Sequence, residues 1–164
     1  VVVVDLLRAT TVISVAFECG VDAVIPVSTI ENALSFKDKK DHIIAAERNT
    51  ILVEGFDFGN SPYHYLNADV REKILVLTTT NGTKAIELAK NNKIITASFV
   101  NLTAIVNFLV KDKKVVRSSI SVQRIRSGFQ SILLKDFASV IAPPCIRHFQ
   151  NCPFIERIFT SCLL

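Results

Sequence analysis

Val1-Val2-Val3-Val4-Asp5-Leu6-Leu7-Arg8-Ala9-Thr10-Thr11 decides the fold class. Four β-branched residues in a row form a strand buried on both faces, because such a strand has no wet side on which polar residues would alternate. A carboxylate closes the run. Arg8 then opens a stretch of helical character that lasts to Cys19 and stops at Gly20, a residue suited to a helix C-terminus. A doubly buried strand passing straight into a helix is the first half of a βαβ unit, and βαβ units build parallel sheets.

The alternation continues down the chain. Residues 23–27 read as a strand, and Ser28-Thr29-Ile30-Glu31 as a capping-box start for a helix to about residue 39. Residues 43–46 are a strand, and residues 54–69 a long loop rich in Gly, Asn, Pro and aromatics. Residues 73–77 are a further strand, followed by Thr78-Thr79-Thr80-Asn81-Gly82-Thr83 and a helix over 84–90. A strand at 94–97 and a helix at 102–111 complete the pattern. The expectation is an α/β fold of three layers. Its one mostly parallel sheet holds residues 1–4, 23–27 and 73–77, with helices on both faces.

With 164 residues, of which 49% are hydrophobic and 21% charged, the chain is globular and long enough for one sizeable core. No stretch approaches the ~20 apolar residues of a membrane span. The N-terminus lacks a basic n-region and a starting Met, so its first residues are not expected to be a signal peptide. It reads as a strand cut open, and the domain is expected to be incomplete at both ends. The +4 net charge is unevenly placed. Residues 1–114 carry 13 basic and 13 acidic residues, whereas residues 115–164 carry 6 and 2. Basic usage also changes, from 10 Lys and 3 Arg to 1 Lys and 5 Arg. Nucleic-acid binding would therefore rest on the last 50 residues alone. Cys145, Cys152 and Cys162 crowd into those residues without a zinc spacing, and Cys19 reads as a buried small hydrophobe.

In a parallel sheet, ligands bind where the loops leave the strand carboxyl ends. Three polar segments fall at such ends. In the first, Arg8 offers a planar fork to an anion, and Thr10 and Thr11 add donors beside helix amides. Equally, Thr10 can cap the helix while Asp5 faces water. The second is Ala46-Glu47-Arg48-Asn49 with Glu54-Gly55-Phe56-Asp57-Phe58-Gly59-Asn60-Ser61-Pro62. Its carboxylates are hard ligands that suit Mg²⁺, although an ordinary surface loop also carries such residues. The third, Thr78 to Thr83, has the strand-to-helix context of a phosphate loop but lacks the Walker A pattern, and Thr83 can be a simple N-cap. His42 and His64 read as surface or packing residues.

Taken in order, V-x-D-x-L-R-A-T-T, A-x-E-R-N, E-G-F-D-x-G-N-S-P and T-T-T-N-G-T resemble the 2-phosphosulfolactate phosphatase family. The likeness covers residues 1 to about 112 and departs slightly at Asp5-Leu6-Leu7-Arg8. The resemblance implies a Mg²⁺-dependent acid phosphatase that releases phosphate from 2-phospho-3-sulfolactate, a step that in methanogens lies on the route to coenzyme M. A substrate with phosphate, carboxylate and sulfonate groups needs several anion subsites. The assignments are Asp5 and Glu47 as catalytic residues, either serving as general base, with an aspartyl-phosphate on Asp5 as the competing course. Arg8, Thr10, Thr11, Arg48, Asn60, Ser61, Thr79, Thr80, Asn81, Gly82 and Thr83 are assigned to substrate, and Glu54 and Asp57 to Mg²⁺. The expected partner is this small phosphorylated acid, without nucleic acid or membrane, in a cytoplasmic protein open to homo-oligomerisation.

The resemblance stops after Lys114. Residues 115–164 form a divergent tail, in which residues from about 116 to 131 are expected to come from a frameshift, Lys135-Asp136-Phe137-Ala138 to return to the original frame and a second frame loss to follow Ala142, a real divergent tail being the alternative. Codons can be written for residues 121–131 that yield C-A-E-D-K-K-W-F-S-V in another frame, close to the family's own continuation. The Lys-to-Arg change and the late cysteines fit that origin. On this reading the chain reports the ancestral activity and is itself impaired. Sequencing the DNA across codons 110–145 checks it, and an in-frame origin for the whole segment would refute it.

Overall fold

Val2–Val4 form the central strand, β1, of a three-stranded sheet. The computed structural model describes residues 1–5, 8–49, 51–112 and 118–120, all within one unit, Val1–Gln123. Strands β6 (Ile95–Ala97) and β7 (Ser118–Ile120) flank β1, both parallel to it, in the registers Val2↔Ile95 and Val2↔Ser118. With neighbours on both edges and helices nearby, the three valines are at most 1% exposed, which is why no polar residue interrupts them.

A second sheet has the order β2 (Ala23–Pro26), β5 (Ile74–Thr78), β3 (His42–Arg48), β4 (Ile51–Leu52). Its pairings are parallel except the β3–β4 hairpin, whose turn holds Asn49 at φ 54°, a left-handed conformation that Asn tolerates. The α/β class is as expected, but the strands occupy two sheets instead of one. Hydrophobic runs show that a strand is buried, not which strand lies beside it. Here β6 and β7 take both edges of β1, and β2 pairs with β5 instead.

The pleat sorts side chains between the two faces of the larger sheet. Ile43 and Ala45 of β3 and Leu75 and Leu77 of β5 join Val3 of β1 in one core. Val12, Ile13 and Ala16 of α1 (Ala9–Glu18), Tyr65 of α3 (Pro62–Leu66) and Ile86 of α4 (Gly82–Leu88) cover it. On the other face Ile44, Ala46 and Val76 pack against Ala33 of α2 (Ile30–Leu34) and Phe56. Helices thus cover both faces. Cys19, half-buried at the end of α1, packs against the first core.

Local differences have local causes. Thr29 caps α2 by accepting from the Asn32 amide at 3.1 Å. The helix nevertheless ends at Leu34, because i→i−3 bonds from Phe36 to Ala33 and from Lys37 to Leu34 tighten the chain into turns. The loop expected over 54–69 contains α3, whose start signal, Ser61 before Pro62 at the first turn, stands in the sequence. Phe99–Asn101 form a 3₁₀ turn leading into α5 (Leu102–Asp112), with Ser98 and Asn101 in a capping box. Strand β7 lies beyond the expected boundary at 114. Residues 116, 117 and 121–131 of the segment expected to be frameshifted, and the late cysteines, lie outside the described residues. Among the described residues no helix is long and apolar enough to cross a membrane.

Leu77 is fully buried in the core that joins the two sheets. Leu77→Ala should cost about 2–5 kcal/mol, the range for truncating a buried leucine. Urea denaturation measures the loss, and an unchanged midpoint would show that the helices do not close over β5 as described.

Candidate functional site

Polar groups are expensive to bury, so their location inside a protein is informative. Among the described residues the buried polar side chains are Asp5, Thr10, Glu47, Asn60, Thr78, Thr79, Thr83 and Ser98. All but Asn60, which lies just before α3, are at or just beyond the carboxyl end of a parallel strand, or where the following helix begins. Among the described residues the opposite edge has no such group.

Asp5 follows β1 and is 4% exposed. Thr10, in the first turn of α1, binds the backbone around it. Its hydroxyl oxygen accepts from the Asp5 amide at 3.0 Å and lies 2.7 Å from the Asp5 carbonyl and 2.8 Å from that of Ala97. Thr10 therefore staples the ends of β1 and β6 to α1, and its hydroxyl is committed to backbone. Arg8, at the N-cap of α1, is half-buried and among the described residues has no ion pair or side-chain hydrogen bond. Thr11 is half-buried beside it.

The turn after β5 is locked from within. The Thr79 amide donates to Thr83 Oγ1 at 3.1 Å, and the Thr83 amide donates to Thr79 Oγ1 at 3.2 Å. Thr83 Oγ1 also donates to the Thr79 carbonyl at 3.0 Å. Gly82 sits at the closest approach. A Cβ there would stand 2.5 Å from Asp5 Oδ2 and collide with the Ala9 methyl. The turn on the larger sheet thus lies directly against the strand end of the smaller one. Thr80 and Asn81, both half-buried, occupy its crest.

The same turn meets β3. Glu47 is 3% exposed, and its Oε1 accepts from Thr80 Oγ1 at 3.4 Å. Arg48 comes next and points its guanidinium inward, donating to Thr78 Oγ1 at 2.9 Å and to the Glu47 carbonyl at 2.8 Å. That geometry braces the end of β3 against β5. Two buried carboxylates, Asp5 from one sheet and Glu47 from the other, therefore meet a single Thr-rich turn.

Residues 57–61 approach β3 along the edge away from β5, before β4 pairs there. Phe58 forms a parallel bridge to Ala45. Gly59 is held by α3, its amide donating to His64 Nδ1 at 3.0 Å and its carbonyl accepting from the Tyr65 hydroxyl at 3.3 Å. His64 and Tyr65 are thus packing residues here, and burial pushes the Tyr65 hydroxyl well above its ordinary range. Asn60 is 5% exposed, and its Oδ1 has no hydrogen-bond partner among the described residues. Ser61 caps α3 by position, without a side-chain cap bond.

Glu54 and Asp57, the residues expected to hold Mg²⁺, differ in their surroundings. Asp57 Oδ2 is taken by the Ile44 amide at 2.9 Å. Glu54 is exposed, and its neighbour Gly55 lies beside the Lys37 ammonium, 3.5 Å from where a Cβ would stand. Among the described residues no three His, Cys, Asp or Glu side chains are grouped to hold a metal ion.

A model of the 2-phosphosulpholactate phosphatase family matches residues 1–123. The chain belongs to this family. A probable 2-phosphosulfolactate phosphatase of Thermotoga petrophila is 50% identical over 108 residues, covering 66% of this chain and 47% of that protein. Its counterpart in Clostridium novyi is 47% identical over 110 residues, covering 65% and 47%. The chain spans about half the length of the curated relatives it matches. The family match ends at residue 123, beyond the expected limit near 112 and past β7.

Two members of the buried polar set, Thr78 and Ser98, were not assigned a role from the sequence. The first residue of the Thr-Thr-Thr run and the polar residue directly after the strand at 95–97 were the signals that could have marked them. Gly82→Ala tests the contact on which the site is built. It should lower the melting temperature by several degrees, because something must shift when a Cβ meets Asp5 and Ala9. Equal stability of parent and variant in calorimetry would show that the turn does not abut β1.

Proposed function

We propose that this family member hydrolyses a phosphate ester on a small multiply anionic acid, 2-phospho-3-sulfolactate being the substrate that the names of its relatives suggest. The observation that carries the reading is the meeting of Asp5 and Glu47 at the Thr78–Thr83 turn, where buried carboxylates stand beside half-buried Arg8, Thr80 and Asn81. The guanidinium of Arg8, unpaired among the described residues, answers an anionic group bidentately. Thr11, Thr80, Asn81, Ser61 and Asn60 supply polar contacts for the others. Thr10, Thr79, Gly82, Thr83 and Arg48 hold the frame.

In the reaction, Glu47 takes the proton of a water that attacks phosphorus, the ester P–O bond breaks, and the departing alkoxide takes up a proton to become the hydroxy acid. Asp5, which meets the same turn at Gly82, orients the attacking water. No step is routed through magnesium. The reading takes the activity to be cytoplasmic, acting on a soluble metabolite.

A binding-only protein is the second reading. The two are separated by measuring phosphate release from 2-phospho-3-sulfolactate together with the melting-temperature shift that this acid induces. Release with turnover supports hydrolysis, and a shift without release supports binding alone. Glu47→Gln should lower kcat by about 10²-fold or more, the usual contribution of a general base. Parent-level turnover in that variant would remove Glu47 from the chemistry.

A further inference from the structure

We propose that Asp57 is a positioning residue: its carboxylate clamps the 57–58 segment to the edge of β3 away from β5 and so sets the buried Asn60 amide at the site edge. Four contacts carry this. Asp57 Oδ2 accepts the Ile44 N–H at 2.9 Å. The Asp57 and Phe58 amides both donate to the Ile44 carbonyl, at 3.1 and 3.3 Å. The Ala46 amide donates to the Phe58 carbonyl at 3.0 Å. One side chain thus completes a ladder that the backbone alone leaves unfinished, since the Ile44 N–H would otherwise face a strand edge without a partner.

The clamp bears directly on Gly59 and Asn60, the next residues along the chain. Gly59 passes beside Leu52, 3.6 Å from where its Cβ would stand, and Leu52 is the residue that pairs with Glu47. His64 and Tyr65 grip Gly59 from the side of α3. The segment is therefore fixed on two sides, by Asp57 before it and by α3 after it. Asn60 emerges between them, almost fully buried, with an acceptor oxygen that no described residue satisfies. A buried amide oxygen left without a donor costs stability, so a ligand or water that supplies one is favoured there. The inference rests on the phosphatase reading only for its effect on turnover.

Asp57→Asn and Asp57→Ala divide the hypotheses, because asparagine keeps an acceptor for the Ile44 amide and loses the charge a cation needs. Amide exchange followed by NMR should show Ile44 exchanging on the order of tenfold faster in Asp57→Ala than in the parent, with protection restored in Asp57→Asn. Unchanged Ile44 exchange in Asp57→Ala overturns the clamp. In a Mg²⁺ titration followed by melting temperature, Asp57→Asn should respond as the parent does, and loss of a parental response in Asp57→Asn overturns the proposal in favour of a metal ligand. If Asp57→Ala does not fold, the behaviour of Asp57→Asn in these two measurements decides. For turnover, Asp57→Ala should lower kcat more than it raises KM, Asp57→Asn should rescue it, and its effect should be non-additive with Asn60→Ala. Strict additivity would show that Asp57 does not act through Asn60. A parent that releases no phosphate refutes the phosphatase reading, while the exchange measurement still decides the clamp.

Discussion

Gly82 lies against the Asp5 carboxylate and the Ala9 methyl so closely that no side chain fits between them. This approach brings the turn after β5 onto the end of β1, which belongs to a different sheet. Without it Asp5 and Glu47 would be two acids on two sheets. With it they face one turn, and α1 begins beside it at Ala9. A Cβ would cost a displacement that neither the β1 end nor the first turn of α1 is free to make, because Thr10 ties both to β6.

The threonines explain how so much polarity is tolerated in a buried edge. Thr10, Thr79 and Thr83 each place a hydroxyl between backbone groups that a sharp strand-to-helix transition leaves unpaired. A buried amide without a partner costs about as much as a lost hydrogen bond, so these side chains stand in for missing ladder bonds. Having satisfied the backbone, they have little capacity left for a ligand. The division is physical: hydroxyls consumed by the frame make the edge rigid, and the half-buried groups on its crest, Arg8, Thr80 and Asn81, remain available. Rigidity of this kind is what a site for several anionic groups requires.

Much of this was legible in the residues. The run at 1–4, the strands near 23, 43 and 73 and the helices after them are marked by burial patterns and caps that act over a few positions. Six of the eight buried polar residues among those described were picked out because polar residues directly after buried strands fall at the ligand edge. Roles within that edge were not legible. Asp57 sits in a segment whose composition suggests a cation site, yet its carboxylate serves the β3 backbone, because the edge of that strand offers an unpaired N–H. Thr10 and Thr83 look like phosphate donors in sequence and are bound to main chain.

By itself the sequence determined the class of fold, the order of its elements, the edge at which polar chemistry gathers and the family to which the chain belongs. Each of these comes from periodicities and motifs confined to short stretches. Only the tertiary structure decided that the strands divide into two sheets, that β7 completes the smaller one, and that Gly82 joins their edges. Pairing and close approach depend on which surfaces remain free after every other segment has packed, and no local pattern carries that information.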